Sequence, residues 1–236
     1  MATVVARPVK RRADDVFFPA MSLLILAVVV FGFAQSYFLA GMMFAKLPNV
    51  FVHIHGALFI SWIFLLVVQN ALVAAHRVKW HRTLGIFGVI VPPFMILFGV
   101  LTLLDFIRRH AAAESAKLVL VGDIEGLTIF ATLIAWGLLR RRDAASHKRL
   151  MVLGTMAILG PAIVRWPFPD SISLPCTIGV YVALPLLVVA YDLWSLRSIH
   201  RTTAIAYPLI AIPMLTLVPL CSLEFFQRCV DWIGHG

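Results

Sequence analysis

Four of the eight histidines stand where an apolar run begins or ends: His55, His76, His81 and His147. Imidazole ligates haem iron and transition metals, and its ordinary titration falls near neutrality. His55, Trp62, Gln69 and His76 recur every seven residues. Seven residues make almost two helical turns, so each step drifts by only about 20° and the four form one stripe. A histidine stands at each end of it, about 31 Å from the other. Trp62 and Gln69 between them can hydrogen-bond to neighbouring helices. The stripe therefore reads either as an inward polar path or as packing polarity alone.

One end of the stripe collects His76, His81 and His147. His81 opens an apolar run in His81-Arg82-Thr83-Leu84-Gly85, and His147 opens another in His147-Lys148-Arg149-Leu150-Met151. Three imidazoles from three helix ends at one depth could ligate haem b or another transition metal. Beside Lys and Arg they equally suit lipid headgroups.

The other end collects His53, His55, Asp123, Glu125, Arg165 and Asp170. Imidazoles and carboxylates at one depth suit a metal, with His53, His55 and Glu125 as candidate ligands, or a proton relay. The alternative is an ion-paired lid, with Arg165 held by Asp170 or Glu125. His53 and His55 converge only if the helix starts at His55, because helical positions two apart diverge by about 200°. Asp105 and Asp192 lie at run ends, where reaching toward the headgroups accounts for them.

H-E-x-x-H, the Walker loop and G-x-S-x-G are all missing, so a metal-dependent hydrolase at the His/Asp/Glu cluster has no acid–base pair to carry it. The last run has no lysine for a retinal Schiff base. Cys176, Cys221 and Cys229 form no C-x-x-C pair and read as small apolar fillers.

The elements that must position these residues are membrane helices. The chain is 61% hydrophobic and 13% charged, against about 45–50% and about 25% in soluble domains. Apolar runs fall at about 17–39, 52–75, 84–104, 119–139, 150–165, 176–194 and 203–223. Each nears the length needed to cross about 30 Å of hydrocarbon, and the fifth is the shortest. The runs are unbroken rather than alternating, which selects helices over a barrel. The expected fold is an all-α polytopic bundle of about seven transmembrane spans over residues 17–223. A basic segment, 1–16, precedes it and a short tail, 224–236, follows.

Fourteen Lys and Arg residues fall on the side of the N-terminus and six on the other. By the positive-inside rule the N-terminus is cytoplasmic and the C-terminus outside. The net charge of +9 is explained by these flanks, and no soluble basic domain remains for a nucleic-acid partner. The expected home is a bacterial inner membrane, with the lipid bilayer as the first partner.

His53-Ile54-His55-Gly56, Trp62, Gln69, His81-Arg82-Thr83-Leu84-Gly85 and His147-Lys148-Arg149-Leu150-Met151 resemble a group of uncharacterised bacterial multi-span proteins over about residues 50–165. More distantly, histidines at both ends of a helical bundle look like membrane b-type cytochromes. That likeness implies haem and electron transfer to a quinone or a redox partner protein. The wide His55–His76 separation fits one haem better than two. The competing expectation is a non-catalytic, transporter-like or accessory subunit whose stripe supports packing or a polar path.

Overall fold

The computed structural model of the chain describes residues 9–39 and 49–235. Arg7 and Lys46 of the charge count, and the side chains of Lys10, Arg11 and Arg12, lie outside that description. Among the described residues there are α-helices, one π turn and one 3-10 turn, and no strand.

Helix α1 (Val9–Phe33) runs into the π turn Ala34–Phe38; α2 spans Val50–Ala74, α3 Val78–Leu84, α4 Phe87–His110 and α5 Ser115–Leu139. Then come α6 (Ala144–Met156), α7 (Gly160–Ile163), α8 (Ser173–Leu196), α9 (Arg201–Cys221) and α10 (Glu224–His235). Six segments are long and apolar enough to cross a membrane: Ala13–Phe33, Val50–Ala74, Val78–His110, Ser115–Leu139, Asp170–Leu196 and Arg201–Cys221. Their outward faces carry large apolar side chains such as Phe64, Phe94, Leu97, Leu187 and Leu215. A solvent-facing bundle would bury these, whereas lipid accepts them.

The fifth expected span, 150–165, is not one helix. Pro161 explains the break. It has no N–H to give the carbonyl four residues back, which is that of Ala157. That carbonyl is freed, and the Tyr181 hydroxyl donates to it at 2.6 Å. The chain turns through Ala157–Leu159 and restarts at Gly160. Irregular backbone at membrane depth is tolerated only where protein covers it, and Ala157 and Leu159 are buried.

Helix α6 packs against α1, α2, α5, α8 and α9. It is the most enclosed helix, and this explains its mixed composition. Ser146, Arg149, Gly154 and Thr155 face protein, so the lipid requirement for apolar side chains does not act on them. The core around it contains Trp62, Phe130, Leu133, Leu150 and Leu153.

Caps fix the helix starts that matter for the histidines. Asn49 accepts from Val52 N–H at 3.2 Å, so α2 begins before His53. Asp143 caps α6 by accepting from Ala145 N–H at 3.1 Å and Ser146 N–H at 3.3 Å. The Ser146 hydroxyl, 2.6 Å away, and these N–H groups hold its carboxyl below the usual carboxylate range. A depressed value in the folded state means the cap contributes fully above about pH 4 and is lost as pH falls through the folded value. Asp143→Ala is expected to cost about 1 kcal/mol at neutral pH. The gap in melting temperature between parent and variant should narrow in acid; a gap that stays constant into strong acid would refute the charged cap.

His76 and Arg197 end α2 and α8 with φ of 58° and 60°. Both occupy the left-handed position that commonly closes a helix. The 224–236 segment, expected as a tail, forms α10 over residues 224–235. Its Val230 is buried against α4 and α5 through Leu103, Ile107, Ala116 and Leu120.

Candidate functional site

The beginnings of α1, α6 and α9 and the ends of α2, α5 and α8 share one end of the bundle. There His81 on α3 and His147 on α6 stand with ring centres 6.4 Å apart and planes at 80°. His147 Nδ1 lies 2.8 Å from the Gly137 carbonyl of α5. A carbonyl only accepts, so Nδ1 carries the proton and the Nε2 lone pair is left to bind something else. Anchoring one imidazole nitrogen to a backbone carbonyl is how ligand histidines are oriented. His81 Nδ1 is buried with no hydrogen-bond partner, and the Gln69 backbone lies beside that ring.

A metal–nitrogen bond of about 2 Å on each side, plus the ring radii, places two opposed imidazole centres roughly 6 Å apart. The observed ring-centre spacing is of that order, with the rings edge-on to each other. Among the described residues no three His, Cys, Asp or Glu side chains gather as a metal-binding group. Two imidazoles alone are a poor set for structural zinc, which takes four protein ligands. His81 and His147 are the residues that would hold a haem or a metal ion here, which would supply one-electron chemistry. His76 sits on the exposed turn after α2 and serves that turn through its left-handed backbone.

The stripe on α2 divides by role. Trp62 is buried; its Nε1–H donates to Thr155 Oγ1 at 3.0 Å, and its ring meets Phe130 edge-on at 5.6 Å. It ties α2 to the last turn of α6. Gln69 Oε1 and His55 Nδ1 are buried and unpartnered.

At the opposite end α2 already includes both His53 and His55, so they diverge around the helix. His55 stacks on Phe59 at 4.1 Å, and His53 faces Tyr37 at 6.4 Å. Asp123 and Glu125 also sit two residues apart on one helix and part company. The Arg165 charge acts on His55 and Asp123. Arg165 donates to the Pro161 carbonyl and lies 4.7 Å over the Phe33 ring. It makes no ion pair with Asp170 or Glu125 within the described residues, so the expected lid does not form. Glu125 faces Tyr181, Pro213 and Met214 instead.

Asp105 behaves as a headgroup-side carboxylate, pairing with Arg109 at 2.5 Å on the surface. Asp192 does not reach out of the bundle. It is 0% exposed and pairs with Arg149, which is 1% exposed. Arg149 Nε donates to Asp192 Oδ1 at 2.9 Å and Nη2 to the same oxygen. Asp192 Oδ2 accepts from Thr203 Oγ1 at 2.6 Å and His200 N–H at 3.1 Å. Nearby, Asp14 of α1 takes Lys148 at 2.5 Å and the Tyr191 hydroxyl at 2.7 Å. This network locks α1, α6, α8 and α9 directly behind His147. An aspartate in an apolar run is the signal for it, since a buried ionisable group in a membrane helix needs a partner inside.

No known protein family, curated protein or solved structure is matched by the chain.

Proposed function

We propose that this chain is a multi-pass electron-transfer protein that holds one haem b, or a transition-metal ion, between His81 and His147. The observation that carries the reading is the imidazole pair: two ring centres 6.4 Å apart, one ring anchored through Nδ1 to the Gly137 carbonyl and the other beside the Gln69 backbone with Nδ1 buried. The Arg149–Asp192 network holds α6, and with it His147, at a fixed depth. Haem would supply one-electron chemistry there, and a quinone or a redox protein would exchange electrons with it.

In this reading the broken α6–α7 unit, about residues 144–165, makes the seventh crossing. The excess of Lys and Arg on that side supports a cytoplasmic N-terminus and His81–His147 pair, with α10 outside, in a bacterial inner membrane.

Detergent-purified protein is expected to show a Soret band and a pyridine haemochrome. His147→Ala and His81→Ala should each abolish the band while the protein stays monodisperse. Wild-type protein with neither a Soret band nor a stoichiometric transition metal sinks the proposal. That outcome would favour a transporter-like or accessory subunit. The break between α6 and α7 is the observation on that side, because discontinuous helices often line solute paths.

A further inference from the structure

Glu125 is the eleventh residue of α5, about 15 Å from the Ser115 end and about 21 Å from the Leu139 end. The whole helix is long and apolar enough to cross a membrane, so this carboxyl stands within the hydrocarbon layer. Gly122 and Gly126 lie on the same face and leave it uncrowded. Across from it, Tyr181 of α8 and Pro213 and Met214 of α9 close a crevice of about 10 Å³, which is about enough for one water molecule.

Among the described residues no cation is paired with this carboxyl, and no other charge acts on it. Arg165 acts on Asp123, around the helix. Lys117, two turns away, acts on Cys221 rather than on Glu125. The titratable neighbours are Tyr181 and Cys221, both of which feel the Glu125 charge. The Tyr181 proton is committed to the Ala157 carbonyl. His147, Lys148 and Arg149 of α6 stand at one end of the bundle, and the charged groups of α4 and α10 at the other. An ionised carboxylate without a cation is costly in hydrocarbon, whereas a neutral carboxyl needs only one hydrogen-bond acceptor.

We propose that Glu125 is a proton-binding site within the membrane, loaded and unloaded through the crevice between α5, α8 and α9. The site stands apart from the His81–His147 pair and its test reads no haem. A failure here leaves the redox reading untouched, and the reverse also holds.

The probe is dicyclohexylcarbodiimide, an apolar reagent that attacks protonated carboxyls. The acid O–H adds across one C=N bond, and the O-acylisourea rearranges to an N-acylurea with nothing leaving. Full-length protein in detergent is labelled, digested and mapped by mass spectrometry. Glu125 is expected to carry the adduct, with labelling falling about tenfold per pH unit above its titration point. Glu125→Gln, a shape match for the neutral acid, should lose the adduct and melt like the parent. A water-soluble carbodiimide should label exposed Glu224 and spare Glu125. No adduct at Glu125 anywhere on an acid-to-alkaline scan would overturn the proposal. So would equal labelling of Glu125 and Glu224 by the water-soluble reagent, or a marked loss of stability in Glu125→Gln.

Discussion

Asp192→Ala is expected to destabilise the bundle by about 3–5 kcal/mol, because Arg149 would remain buried with its charge unanswered. The carboxylate takes donors on both oxygens: Arg149 on one, Thr203 and the His200 N–H on the other. Without it, the hydrogen bond left to Arg149 among the described residues is that of Nη1 to the Ala145 carbonyl at 2.8 Å. Asp192→Asn keeps the shape but not the charge, and an intermediate loss is expected. Replacing both partners together, as Arg149→Met with Asp192→Leu, should recover most of the stability, because apolar residues of similar volume need no desolvation. Unfolding midpoints of the four purified proteins decide the matter. An Asp192→Ala protein as stable as the parent would mean that the pair carries no weight.

The second large effect is expected at Gly32. A Cβ there would lie 2.2 Å from the Ala162 carbonyl oxygen and 2.8 Å from its carbon. These are backbone atoms of α7 and cannot swing aside, so α1 must move off the broken crossing. Gly32→Ala should cost about 1–3 kcal/mol. Gly56 is the control, since nothing lies within 4 Å of its added Cβ. Gly56→Ala should be neutral, or stabilising by up to about 1 kcal/mol through helix propensity. If the two variants melt alike, close approach of α1 to α7 is not what holds that face.

Much of the architecture could be read from hydropathy because lipid imposes one rule on every residue facing it. The runs at 52–75, 176–194 and 203–223 match α2, α8 and α9 closely for that reason. The rule fails where a helix is surrounded by protein. Helix α6 starts six residues before its apolar run and carries Arg149 inside, so hydropathy places its beginning too late. Helix α5 likewise extends back to Ser115, which puts Asp123 and Glu125 two to three turns inside the helix rather than at its start.

Depth along the helices located His81 and His147 at the same level, but depth carries no azimuth. That their rings meet edge-on, while His76 lies in the turn after α2, depends on how α3 is set at the end of α2. The run-end position of Asp192 suggests a headgroup contact, and the structure differs for a related reason. Its partner is 43 residues away, and only the packing of α8 on α6 brings them together.

The Arg149–Asp192 pair also sets an order in time. Arg149 is synthesised 43 residues before the carboxylate that neutralises it, an interval of roughly 2–9 s at ribosomal speed. Through that interval Arg149 lacks that carboxylate, although α5 is already there for α6 to pack on. A chain stopped short of Asp192 is expected to hold α6 less firmly than the full chain, which limited proteolysis would read as faster cleavage there.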